Sequence, residues 1–278
     1  MKENTLRFGC QAYTWQMSGR YVGQLDHILD TVQAAGFAGF ELETGMLGDW
    51  YNDPSRFADA LARRNLKLAA LTIALPWANA VETAAERAEA DRAFRYLSAF
   101  EGTQLVLAQL PGRDRRDLRR RQQNALACMN AIGRRACDRG IVAGFHPNSP
   151  PGSVFRTRED YQVLADGLDT DVIGFVPDAG HIAKGGMDVR EVFRTFRPLL
   201  RHVHFKDLNQ AGAWSAMGAG MIDFPALVSD LQQSGFNGWI MVEEESAQAE
   251  QEPDLVTLAN GRYVRDHLLS PKTTETIA

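Results

Sequence analysis

Short apolar runs alternate along this chain with longer stretches whose apolar residues recur at helical spacing, a pattern that predicts parallel strands joined by crossover helices. The runs place strands near 6–11, 38–43, 67–73, 103–108, 140–146, 172–178, 200–206 and 238–243. Helices fit the gaps at 23–35, 54–65, 82–100, 115–139, 157–167, 188–196, 223–234 and 254–268. Glycine, which tolerates the left-handed closing conformation, stands where helices hand over to strands in Ala35-Gly36-Phe37, Arg139-Gly140 and Ser234-Gly235-Phe236. Asp53-Pro54 and the run from Thr157 to Asp160 supply helix starts. With no linker, repeat or low-complexity block, the pattern predicts an α/β fold: a single (β/α)8 TIM barrel over 1–270, followed by a polar, flexible tail at 271–278.

Four of the runs end on a residue able to hold a divalent cation: GIVAGFH at His146, DVIGFVPD at Asp178, RHVH at His204 and GWIMVE at Glu243. In a parallel barrel these ends share the rim where chemistry is done. Strand alternation then fixes the residues before them. If His204 faces the axis, so do His202 and Lys206. The same counting turns Gly39, Gly144 and Gly174 inward, where small residues leave room for a ligand, and puts Glu41 and Glu43 on one inward face. Inward carboxylates without a counter-charge cost several kcal/mol, so they call for a cation.

Two imidazoles and two carboxylates without a thiolate suit Mn²⁺ or Co²⁺, and also Mg²⁺, Fe²⁺ or Zn²⁺. Taken singly, each donor could be a hydrogen-bonded rim residue or a helix cap. Four compatible donors on four consecutive strand ends are better explained by a shared metal. His181, in the glycine-rich segment PDAGHIAKGG read as a loop, is expected to face the site as substrate donor or proton carrier, or else to stabilise the loop. Lys206 either donates to a substrate oxygen or neutralises Asp207. Trp15 offers an apolar wall for a sugar ring or packs into the rim. Glu244 should turn away from the site, and Glu245 either returns to it or, the better reading, remains a solvated loop acid.

The chain has 278 residues, 45% of them hydrophobic, and a formal charge of -5, which argues against gripping phosphate backbones or an anionic membrane. Its start lacks a secretory signal, and no run approaches the ~20 residues of a membrane span, so a cytoplasmic location is expected. The three cysteines show no paired spacing. The arginines from Arg113 to Arg121 are interleaved with Asp114 and Asp117 and read as a solvated helix face.

At these residues the chain resembles the xylose-isomerase-like TIM-barrel superfamily of sugar isomerases, epimerases, dehydratases and endonuclease IV. GCQAYTW, GFAGFELE, PDAGHIAKGG, HVHFKD and the segment ending in GWIMVEEE carry the likeness over nearly the whole chain. Within it, FHPNSPPGSVFRTREDY, IDFPAL and WIMVEEES are most similar to inosose dehydratases, although those enzymes have several histidines in the fifth-strand turn where this chain has only His146. The resemblance implies a metal-dependent lyase that dehydrates a keto-polyol such as 2-keto-myo-inositol through an enediolate. Glu243 or Glu41 would then be the base, and His181 or Lys206 would protonate the departing hydroxyl. A sugar or cyclitol partner and a homodimer or homotetramer follow from the same likeness.

The alternative in the superfamily is a ketose isomerase or 3-epimerase. Many superfamily epimerases carry glutamate at the position of His146, which counts against the two-glutamate type. A noncatalytic sugar-binding barrel is the third reading. A three-zinc nuclease needs early histidines, and none lies between His27 and His146.

Overall fold

Each apolar run becomes a strand. The first seven are β1 (Arg7–Gln11), β2 (Gly39–Glu43), β3 (Lys67–Leu75), β4 (Gln104–Gln109), β5 (Ala143–His146), β6 (Ile173–Phe175) and β7 (Val203–Phe205). A small antiparallel hairpin, β8 (Asp207–Leu208) with β9 (Trp214–Ser215), precedes β10 (Trp239–Val242). The structure, a computed structural model, describes residues 6–269, so the tail expected at 271–278 lies outside the described residues. Parallel pairing runs β6-β5-β4-β3-β2-β1-β10-β7. The ring closes through the parallel bridges Phe175 to Leu200 and Asp178 to His204, with the His204 N–H donating to the Pro177 carbonyl at 2.8 Å. The predicted (β/α)8 barrel is therefore the observed fold.

Helices occupy the predicted gaps for reasons visible locally. Asp53 accepts the Arg56 N–H at 2.9 Å and Pro54 opens the helix Pro54–Arg63. Thr83 with Glu86, and Thr157 with Asp160, form reciprocal capping boxes for Ala84–Leu97 and Arg158–Gly167. Gly36 and Gly235 take φ of +84° and +68° where chain leaves helix for strand.

Short helices at the rim were not anticipated: Tyr13–Gln16, Ala179–Lys184 and Ala247–Gln251. The second of these replaces the loop read into PDAGHIAKGG. It forms because the Asp178 carboxylate caps it by accepting the His181 N–H. A segment this short shows no helical periodicity in sequence.

Outward-facing strand residues Phe40, Phe145, Phe175 and Phe205 are essentially fully buried against the helices, each burial contributing about 1.5–3 kcal/mol. Inside the barrel, Ala69, Trp239 and Met241 form one apolar cluster, and Ala70, Val106 and Val176 form another. The inward glycines serve this filling and do not make room for a ligand. A Cβ on Gly39 would lie 2.5 Å from the Trp239 ring, on Gly144 2.6 Å from Val176, and on Gly174 2.0 Å from Arg201. That corrects the sequence expectation, because space beside a glycine belongs to whichever neighbouring side chain reaches it first.

The arginine-rich stretch is also only partly a solvated face. Its helix starts at Leu118. Before it, Arg115 holds the buried Asp160 through two 2.8 Å contacts and so ties the segment ahead of its own helix to the first turn of the helix Arg158–Gly167. Among the described residues no helix is long and apolar enough to cross a membrane.

Candidate functional site

Alternation along β7 turns His202, His204 and Lys206 inward, all at most 2% exposed. His146 ends β5, Asp178 follows β6 and Glu243 follows β10, so the barrel gathers all four expected donors. One potential ligand atom from each of His146, Asp178 and His204 lies within 4.8 Å of the others. The His146 and His204 rings stand 4.6 Å apart. Glu243 reaches this trio through Oε2, 3.3 Å from His204 Nδ1.

These donors are tied on one side and bare on the other. Asp178 Oδ1 accepts the His181 N–H at 2.8 Å, whereas Oδ2 has no hydrogen bond and only Lys206 Nζ at 3.5 Å. His204 Nε2 meets Glu41 Oε2 at 3.0 Å, whereas its Nδ1 has no hydrogen bond. His146 Nδ1 is likewise buried and unbonded. A buried polar group left unmatched costs about 1–3 kcal/mol, and a divalent cation would satisfy three at once. The residues present fit such an ion.

A second trio, Glu41, His202 and His204, also brings its potential ligand atoms together. Its members are already bonded to one another. Glu41 Oε2 meets His202 Nε2 at 2.6 Å as well as His204, and Oε1 accepts the Thr72 hydroxyl at 2.7 Å.

Charge is distributed sharply across the site. Burial pushes His146 down to about 3, so this imidazole is neutral and able to coordinate. Burial opposes charge on His204 too, but the carboxylates of Glu41 and Glu243 outweigh it and push that pKa up to about 10. Burial also works against Glu243, yet Lys206 and His204 hold its pKa well below the usual carboxylate range. Asp178 is raised by burial, against the pull of Lys206. Glu245 is pushed up to about 7 by burial, despite its contact with Lys206.

Lys206 is a buried counter-ion. It donates to Glu243 at 2.9 Å and to Glu245, and it lies 3.2 Å from His181 Nε2. Because an ammonium only donates, His181 Nε2 accepts, and Nδ1 carries the proton toward Ser149 Oγ at 2.8 Å. Lys206 neither lines the cavity nor pairs with Asp207. The Asp207 carboxylate is held by backbone N–H groups of Leu208, Gly218 and Gly220 at 2.9–3.0 Å.

Above the donors opens a cavity of about 210 Å³, lined by His146, His181, His204 and Glu243 together with the inward-facing Glu43, with Glu245, and with residues without a role assigned from sequence, among them Tyr13, Gln109 and Asn148. Three expectations change here. Trp15 is fully buried and gives its indole N–H to Asp254 at 2.7 Å, because its short helix turns it away; Tyr13 lines the cavity instead. Glu41 lies beneath the cavity with both oxygens engaged, so the base expected there is out of reach. Glu245 returns to the site, drawn by Lys206, whose need for counter-charges was the one available signal. Glu244 does turn away, accepting from Asn260 at 2.8 Å.

A family model described as xylose isomerase-like TIM barrel matches residues 29–265. An inosose dehydratase of Lacticaseibacillus casei is 26% identical over 274 residues, covering 86% of this chain and 88% of that protein. A probable 3-DHS dehydratase of Bacillus anthracis superposes with a TM-score of 0.77 at 13% identity, covering 94% of this chain and 99% of its own. The IOLI protein, solved with a zinc atom bound, gives 0.76 at 16% identity, with 94% and 96% covered. At such identities the two structures speak for the fold.

Proposed function

Since the chain belongs to the xylose isomerase-like TIM barrel family, we propose that it is a divalent-metal-dependent lyase removing water from a small keto-polyol of the 2-keto-myo-inositol class. The observation that carries this reading is the set of unbonded atoms on His146 and His204, which line a polar cavity, and on Asp178 grouped with them. Similarity to an inosose dehydratase over most of both chains supports the substrate class.

His146, Asp178 and His204, with Glu243 beside them, would hold the ion; Mn²⁺ and Co²⁺ suit the mixed N/O set, as do Mg²⁺, Fe²⁺ and Zn²⁺. When bound it supplies Lewis acidity that stabilises negative charge developing on a ketone oxygen. Glu245, at the cavity wall with a pKa near 7, takes the proton α to that ketone. The proton gained at the Glu245 carboxylate is handed to the departing hydroxyl, which leaves as water, while the Lys206 ammonium, hydrogen-bonded to Glu245 and His181, holds both groups in place. Tyr13, Gln109 and Asn148 offer polar partners to the remaining hydroxyls. Among the described residues lining the cavity there is no lysine or arginine, which favours an uncharged polyol over a phosphorylated one.

A family isomerase or epimerase would use the same site with reprotonation in place of water loss. Here His146 stands where a second acid would be needed. Incubation with 2-keto-myo-inositol and Mn²⁺ should give an ultraviolet-absorbing product lighter by one water. A mass-neutral product would overturn the lyase reading in favour of the isomerase. Thermal stabilisation by the sugar without any product would leave a binding protein.

A further inference from the structure

Glu41 touches no part of the cavity, yet it is completely buried and has three side chains aimed at it. We propose that Glu41 is the positioning residue of the metal centre, fixing the His204 tautomer so that Nδ1, and not Nε2, is presented to the cation. This rests on the metal-binding reading above.

Donor and acceptor count fixes the tautomer. An ionised carboxylate only accepts, so both nitrogens beside Glu41 Oε2 must carry hydrogen: His204 Nε2 at 3.0 Å and His202 Nε2 at 2.6 Å. A coordinated imidazole is neutral and has one N–H. With that hydrogen held on Nε2, the lone pair sits on Nδ1, the atom that is unbonded and 3.3 Å from Glu243 Oε2. Glu41 cannot swing away, because Thr72 donates to its other oxygen at 2.7 Å and His202, two residues before His204 on the strand, anchors the shared one. Carboxylates placed behind metal-bound imidazoles in this manner orient the ring and raise its basicity.

The competing use of the same residues is a second ion between Glu41, His202 and His204. That would need both Nε2 atoms bare, among side chains at most 2% exposed and with a hydroxyl already on the carboxylate.

The test compares Zn²⁺ binding by wild type and Glu41→Gln, using a competing chromophoric chelator, together with ¹⁵N-imidazole spectra of the zinc-loaded wild type. We expect one equivalent per chain, affinity about 10–100-fold weaker in the variant, and a slowly exchanging His204 Nε2 proton with Nδ1 shifted by the metal. The spectra need no variant, so they decide the matter even if Glu41→Gln does not fold. Equal affinity in a folded variant, zinc on His204 Nε2, or a second equivalent abolished by His202→Gln would each overturn this role while leaving the metal-dependent function standing. A wild-type chain that binds no ion would sink that function, and this role with it.

Discussion

Asp178 and His204 are bridged partners across the seam where β7 closes the barrel against the chain leaving β6. The step that completes the fold is thus the step that brings two metal donors together. Each is fixed from behind, Asp178 by the His181 N–H and His204 by Glu41, and each has an unbonded atom in front.

Asp178→Asn separates the two duties of that residue. Its amide oxygen still caps the helix Ala179–Lys184, so the fold survives, but the loss of charge should weaken Mn²⁺ binding by at least ~10-fold. In wild type, Mn²⁺ at about a hundred times its Kd should add ~2.7 kcal/mol to unfolding free energy. Urea melts with and without a chelator should show that gain in wild type and, at the same ion concentration, a gain smaller by at least ~1.3 kcal/mol in the variant.

Metal binding should release a proton from His204. With its pKa raised to about 10, the free imidazole holds a proton below that value. The ion must displace it, so apparent association should rise with pH, by about tenfold per unit for one proton, between roughly pH 6 and 9. Calorimetry in buffers of different ionisation enthalpy measures the proton count. A flat profile would contradict the His204 assignment.

Lys206→Met should be severe in the metal-free protein. The ammonium is 1% exposed and faces Glu243, Glu245 and Asp178. Its removal leaves carboxylates buried without their cation, a loss of about 3–5 kcal/mol. Denaturant midpoints at neutral pH should drop accordingly, and more than for His181→Gln.

Trp15→Phe should lower stability and spare substrate binding. The indole N–H bond to Asp254 at 2.7 Å is lost, and His27 still holds the other carboxylate oxygen at 2.8 Å. A cost of about 1–2 kcal/mol follows. KM unchanged in steady-state assays would confirm that the ring is no sugar platform; a large rise in KM would restore it to the site.

Strand ends, inward faces and helix caps were readable from sequence because each depends on neighbours close along the chain. Period-two alternation turned His202, His204 and Lys206 inward, and Asp53-Pro54 and Thr157 to Asp160 opened helices through their own side chains. What closure decided was which distant group fills a space or answers a charge. Trp239 occupies the room beside Gly39, Glu245 returns to Lys206, Asp254 takes the indole of Trp15, and Glu41 is spent on His202 and His204. The last contact joins residues 163 apart. Local spacing states which way a side chain points, but only the closed ring states what it meets, because burial forces every charge and every void inside to find a partner from another strand.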